Sequence, residues 1–272
     1  MKKMKIMTRL LVSLLPIIII ALAMLTWISA MSSSKIISEK INEWMDSELN
    51  SISNEIEADL DSVSQMAETL SNFVRTTYSS LSLAEYETMV SNMIMQNDLV
   101  LGSGIWFEPY VYDPNEKYVG PYMYKDGDTT AVTYDYSNAE YDYFIYEWYT
   151  GALNSSVPVF TDPYYDPTLD IVMSSCTMPM HDDKGTLLGV VTVDIELTGI
   201  QSLVIDVKVG ETGEAFLLTT EGNFIYNKDE AKNMEALITE DTNISLAEAG
   251  KNILALEKWR GEYTLDNNKY NL

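Results

Sequence analysis

Between Asp126 and Asp183 the chain carries no Lys and no Arg, yet it holds Asp126, Asp128, Asp135, Glu140, Asp142, Glu147, Asp162, Asp166, Asp170, Asp182 and Asp183 among Tyr and Trp residues. Such a stretch cannot neutralise its own charge locally. Aromatic faces with carboxylates are the surroundings in which an organic cation is bound, through ring quadrupoles and charge-assisted hydrogen bonds. A carboxylate or phosphate ligand finds no side-chain cation here. The competing reading is a solvated acidic surface. Asp166 and Asp194 are the candidate acceptors for a ligand ammonium, with Tyr141, Tyr146, Trp148 and Tyr149 as π walls that keep water out. Two carboxylates facing one apolar cleft repel when empty, so a cation also relieves a standing cost. In the alternative, Trp148 and Tyr149 are core aromatics and Asp194 caps a helix beginning near Glu196; one carboxylate can do both.

Strand-like runs must position these side chains. Positions 101–107 and 118–124 read as strands, with Asp113-Pro114-Asn115 as a turn between them. Positions 171–180 and 186–195 read as two antiparallel strands joined by Asp182-Asp183-Lys184-Gly185, and 196–205 as a helix. His181 belongs to that polar turn and not to a catalytic triad. The pattern restarts at Gly210: a strand over 215–219, a turn at Glu221-Gly222-Asn223, a strand over 224–226, a helical stretch around 229–237, then strand and turn from Trp259 on. Upstream, Ile37, Ile41, Trp44, Ile52, Ile56, Leu60, Val63, Met66, Leu70 and Phe73 recur at helical spacing. They predict one long stalk helix over 33–80, about 70 Å at 1.5 Å per residue, within a stretched ectodomain. Its apolar stripe packs on the domain, on a second copy's helix, or on both. Ser82-Leu83-Ala84-Glu85 is a capping box that opens a second helix reaching about Met95.

The 272 residues carry 17 Lys and Arg against 41 Asp and Glu, a net charge of -24, with 46% hydrophobic residues. That composition supports a packed core and excludes nucleic acid as a partner, which needs clustered cations. A single Cys176 and a single His181 exclude an internal disulfide and a zinc-type cluster. No cofactor or metal is expected. Lys2, Lys3, Lys5 and Arg9 precede an apolar run that starts at Leu10 and ends at Ala30. The run is long enough to cross a lipid bilayer, and its length favours an uncleaved anchor over a cleaved signal peptide. The cationic flank places residues 1–9 in the cytoplasm and everything after Met31 outside it.

An anchor, a long helix, a helix-flanked antiparallel sheet and a second such unit together resemble the double Cache sensor domain of bacterial methyl-accepting chemotaxis receptors and related transmembrane sensors. Asp182-Asp183-Lys184-Gly185-Thr186-Leu187-Leu188-Gly189-Val190-Val191-Thr192-Val193-Asp194-Ile195 resembles that family's hairpin, and Gly213 with Ala215-Phe216-Leu217 and Glu221-Gly222 resembles the opening of its membrane-proximal module. The resemblance implies an α+β fold with PAS-like antiparallel sheets. It places a membrane-distal module at 81–206 and a proximal module, cut short, at 207–272. It further implies a homodimer and a receptor rather than an enzyme, with a chemotaxis receptor, sensor kinase or cyclic-dinucleotide enzyme as the whole protein. A subset of the family binds amino acids through Tyr, then Arg, Trp, Tyr and Ala, then Tyr-x-Asp and a later Asp. Tyr141, Trp148, Tyr149, Ala152, Tyr164-Tyr165-Asp166 and Asp194 match; where the pattern has Arg, this chain has Tyr146. A Tyr hydroxyl cannot replace the charged fork that grips a carboxylate. The expected ligand is therefore a small amine or other cationic metabolite. A glycosidase-like use of Asp162 and Asp166, and calcium binding by Asp162, Asp166 and Asp170, lack any further supporting motif.

Overall fold

The computed structural model describes residues 6–205, 207–209, 213–256, 259, 261–265 and 268–271. Lys2, Lys3 and Lys5 of the cationic flank, and Gly210-Glu211-Thr212 at the expected restart, lie outside them. Contacts divide the chain into Met1–Ser53 and Asn54–Leu272.

The expected anchor and stalk are one continuous element, helix α1 (Ile6–Thr77), which carries Pro16 near its start. In the first unit its apolar side chains, among them Leu14, Ile17, Ile18, Leu22, Leu25, Trp27 and Ile28, are exposed. Among the described residues one helix is long and apolar enough to cross a membrane, and it is this one.

In the second unit, helix α2 (Leu83–Ile94) starts where the capping box places it. Glu85 Oε2 accepts both the backbone N–H of Ser82 at 2.8 Å and its hydroxyl at 2.7 Å, and the Ser82 backbone N–H is the main cause that lowers the Glu85 pKa. Strand β1 (Val100–Phe107) follows, then β2 (Tyr122–Asp126) and β3 (Thr129–Thr133). The expected strand over 118–124 is thus shifted toward its C-terminal end. Its partner β3, unforeseen, is closed by the Asp126-Gly127-Asp128 turn, with Gly127 at φ +60°. A short helix α3 (Glu147–Thr150) leads to β4 (Val159–Phe160) and β5 (Tyr164–Asp166). Next come the long hairpin β6 (Ile171–His181) and β7 (Leu187–Glu196), then helix α4 (Leu197–Ile205). The hairpin turn is the expected one: Asp182 Oδ1 accepts the N–H groups of Lys184 and Thr186, each at 2.8 Å. His181 is the last residue of β6 and pairs with Leu187.

The sheet runs β3-β2-β1-β7-β6-β4, with β5 also on β6, and every pairing is antiparallel. Period-two alternation gives it two different faces. Ile105 and Phe107 of β1, Met123 of β2, Cys176 and Met180 of β6, and Val191, Val193 and Ile195 of β7 pack on Val63, Ala67, Leu70 and Val74 of α1 and on Tyr86, Val90 and Ile94 of α2. This is the aliphatic core. Trp106, Tyr122 and Val190 lie on the opposite face, where they join Tyr136, Tyr143, Trp148, Tyr149 and Ala152 in an aromatic cluster.

The remaining strands stay out of this sheet. Strands β8 (Lys208–Val209) and β9 (Gly213–Glu214), β10 (Leu217–Leu218) and β11 (Phe224–Tyr226), and β12 (Glu262–Leu265) and β13 (Asn268–Asn271) form three separate ribbons. Around 229–237 the expected helical stretch is only a 3-10 turn at Glu230–Lys232. Met234 at φ +61° and the Asn233 side chain, which accepts from Asn227 N at 2.6 Å, end it. The helix in this region is α5 (Ile244–Ala255), capped by Asn243, whose side chain accepts from Ser245 N and Leu246 N.

Candidate ligand-binding site

Cross-strand register builds the floor of the site. Ser175, Asp194 and Gly102 stand in one row across β6, β7 and β1, and Thr177, Thr192 and Gly104 in the next. The two glycines are required for space: a Cβ on Gly102 would come within 2.7 Å of the Tyr122 ring, and one on Gly104 within 2.6 Å of the Trp106 ring nitrogen. Their absence of side chains lets both rings lie flat on the sheet, 6.0 Å apart and stacked at 24°. Thr192 Oγ1 accepts from Gly104 N at 3.2 Å and from Trp106 Nε1 at 3.1 Å, and donates toward Asp194 Oδ2 at 3.4 Å.

Strand β5 and the segments after β3 supply the walls. Asp166 is 1% exposed, and its Oδ1 takes three donors: the Tyr136 hydroxyl at 2.9 Å, Thr168 N at 3.0 Å and Leu169 N at 2.8 Å. Tyr164 shares a 2.7 Å hydrogen bond with Ser175 Oγ, the neighbour of Asp194 across the hairpin. Tyr141 packs edge-on against Tyr136 at 5.0 Å and stacks on Tyr146 at 4.4 Å and 14°. Tyr146 in turn stacks on Trp148 at 6.3 Å and 20°, and Trp148 leans on Trp106 at 4.8 Å. The residue in the family's Arg position is therefore an aromatic plate between two other rings.

The structure thus brings Tyr141, Tyr146, Trp148, Tyr164, Asp166 and Asp194 to one side of the sheet. Tyr149 is turned the other way. Its hydroxyl donates to Glu108 Oε1 at 2.6 Å and its ring packs on Tyr143 and Phe144, which is the structural role. Asp194 lies within β7, and its carboxyl faces Ser175, Thr192 and Tyr122 rather than the start of α4. Trp106, Tyr122, Tyr136 and Thr192 belong to the same wall and were not anticipated. The Gly102-x-Gly104-x-Trp106 alternation was the available signal for Trp106.

The electrostatics centre on Asp194. It is 2% exposed, and burial pushes its carboxyl up to about 7; the hydroxyls of Ser175 and Tyr122 offset part of that rise, while the nearby Asp166 adds to it. Tyr122 Oη and Asp194 Oδ1 are nevertheless both buried without a partner at hydrogen-bond geometry among the described residues. Burial and the two carboxylates also push the Tyr122, Tyr136, Tyr141 and Tyr164 hydroxyls up, so they act as neutral donors. Neither carboxylate has an ion-pair partner among the described residues. No group of three or more His, Cys, Asp or Glu placed to hold a metal occurs among them.

Comparison with known proteins agrees with this architecture. The methyl-accepting chemotaxis protein PctB of Pseudomonas aeruginosa is 27% identical over 112 residues, which cover 41% of this chain and 18% of that receptor's length. The extracellular domain of a candidate histidine kinase, mmHK1S-Z3, superposes with a TM-score of 0.65 at 21% identity, covering 76% of this chain and 78% of its own. The ligand-binding domain of the Pseudomonas aeruginosa amino-acid chemoreceptor PctC, solved in complex with GABA, gives 0.56 at 16% identity, covering 82% and 86%. Residues 86–202, which span the two helices' sheet and the aromatic face, match the family model described as methyl-accepting chemotaxis protein-like, first PDC sensor domain. Residues 86–202 are therefore similar to the first PDC (Cache) sensor domain of methyl-accepting chemotaxis proteins.

Proposed function

We propose that this sensor domain binds a small amine that lacks a carboxylate, on the face lined by Asp166, Asp194, Tyr141, Tyr146 and Trp148. The observation that carries the reading is the pair of buried carboxylates without a counter-cation beside the Tyr141–Tyr146–Trp148 stack. A ligand ammonium supplies the missing charge and gains cation–π contact from the stack. A ligand carboxylate meets Tyr146 instead of a guanidinium, and two aspartates beyond it.

In this proposal residues 81–206 are the membrane-distal module and 207–272 a proximal one. The apolar part of α1 that starts at Leu10 and ends at Ala30 anchors the chain in the bilayer, and two copies pair as a homodimer. Ligand binding would bias one of two receptor states, to the extent that it binds them unequally.

Exchange of one residue tests the reading. Tyr146→Arg restores the carboxylate grip, so the variant should bind an α-amino acid at least tenfold more tightly than the parent does, with the matching amine unchanged or weaker. Thermal shift with lysine against cadaverine, and with tyrosine against tyramine, reads this out. An amino-acid preference already present in the parent would instead favour an amino-acid sensor like PctC.

A further inference from the structure

The β3 edge of the large sheet is open, and hydrogen-bond parity along β2 fixes which of its groups are free. Ile105 N of β1 donates to Pro121 O, and Ser103 pairs with Met123, so the odd-numbered residues of β2 spend their backbone groups on β1. The even-numbered residues Tyr122, Tyr124 and Asp126 face Thr133, Ala131 and Thr129 of β3. Along β3 the backbone N–H and C=O of Thr130 and Val132 therefore point away from the sheet, and among the described residues nothing hydrogen-bonds to them. Strand edges are commonly blunted by a charge, a proline, a bulge or shortness. At the opposite edge, β4 has only two residues and follows Pro158. Strand β3 has none of these devices. Thr129-Thr130-Ala131-Val132-Thr133 is uncharged, mostly β-branched and in unbroken register with β2, and Val132 is 41% exposed. Tyr134, just after the strand, donates to Glu87 of α2 and ties that end in place.

The charges beside the strand select its occupant. Asp126 and Asp128 stand exposed at its N-terminal end and Asp135 at its C-terminal end, in a stretch without Lys or Arg. A second copy's β3 laid antiparallel on this edge would bring Asp128 toward the copy's Asp135 at both ends, like charge against like. An extended segment with a cation at each end meets an Asp at each end instead. We propose that β3 is a docking edge for an extended, lysine- or arginine-flanked segment of a partner protein, which adds to the sheet as one more strand through the backbone groups of Thr130 and Val132. Main-chain hydrogen bonds give such strand addition its affinity, and the flanking charges set its register and its choice of partner. Neither Asp166 nor Asp194 takes part, so strand addition and amine binding are read out separately.

Amide hydrogen exchange and calorimetry on the full chain in phosphatidylcholine nanodiscs test this with the peptide KTVTVTK against ETVTVTE. The lysine-flanked peptide should slow exchange of the Thr130 and Val132 amides at least tenfold and leave that of Ala131, already paired with Tyr124, unchanged. It should also bind at least tenfold more tightly than ETVTVTE. Val132→Pro removes one outward donor and no bond to β2, so it should weaken KTVTVTK at least tenfold with the melting temperature kept. The double variant Asp128→Lys, Asp135→Lys should invert the preference between the two peptides, and failure of that inversion would overturn the selection of a cationic segment. Unchanged exchange at Thr130 and Val132 in the parent would overturn the proposal even if the peptide bound, because ionic attraction alone leaves the edge open. Amides at Thr130 and Val132 that are slow without peptide, and slower at higher receptor concentration, would show that a second copy holds the edge and would overturn it equally.

Discussion

Asp194→Asn is expected to stabilise the folded protein at neutral pH while removing most of its affinity for an amine. In the parent, burial raises the Asp194 carboxyl from 3.8 to about 7. The folded state therefore holds its proton more tightly than the unfolded chain does. The stability this confers is full below about pH 4 and is lost as pH rises through about 7. The difference corresponds to about 4 kcal/mol as an upper figure. The Asn variant should unfold at a higher temperature than the parent above pH 7, by several degrees, and at nearly the same temperature near pH 4. Its amide keeps the shape of the carboxyl and can donate to the Tyr122 hydroxyl. Ligand binding moves the other way, because one charge-assisted hydrogen bond to an ammonium is worth about 1.5–3 kcal/mol, or one to two decades in affinity. The parent's own amine affinity should also fall about tenfold per pH unit below about 7, since Asp194 must release its proton to pair with the cation. Melting curves and titrations from pH 4 to 8 check both halves. A variant less stable than the parent at pH 8 would show the carboxylate to be favourably solvated, contrary to its burial.

The second large effect falls on the backbone under the site. Gly189 in β7 has φ +147°, and a Cβ there would stand 2.8 Å from Phe107 Cα and 2.9 Å from the Trp106 carbonyl carbon on the neighbouring strand β1. Neither is a side-chain atom that can rotate away. Gly189→Ala combines backbone strain with overpacking and should cost about 3–5 kcal/mol. At about 2–4 °C per kcal/mol for a domain of this size, the melting temperature should drop by roughly 10 °C. Gly185→Ala is the control: it also has positive φ, but nothing lies within 4 Å of its Cβ, so only the smaller strain applies. Equal losses at the two positions would show that close strand packing at Gly189 is not what requires glycine.

These residues also show how far the sequence could be read. The β6–β7 hairpin was legible because two long apolar runs flank a polar turn, and Asp182 ties that turn as its type demands. Asp166, Asp194, Tyr146 and Trp148 were legible as a group through their order along the chain. Tyr122 and Tyr136 were not, because they meet Asp194 and Asp166 only through sheet register and through a loop after a strand the sequence did not reveal. Tyr149 matched the family spacing, yet its hydroxyl went to Glu108, a partner 41 residues away that spacing cannot show. Helix α5 had a readable signal in Asn243 ahead of an Ala-rich run, whereas the segment at 229–237 had helical composition but is ended by Met234 in the left-handed region.

The central claim is that the site reads an ammonium and has no use for a carboxylate. Its most direct test is titration calorimetry of the full chain in nanodiscs with matched pairs that differ only by the α-carboxylate, such as tyramine and tyrosine or cadaverine and lysine. The amine is expected to bind at least tenfold more tightly than its amino acid, with Trp148→Ala weakening the amine by one to two decades through lost cation–π contact and enclosure. Tighter binding of the amino acid, or full amine affinity in the Trp148→Ala variant, would contradict it and leave the aromatic face as core.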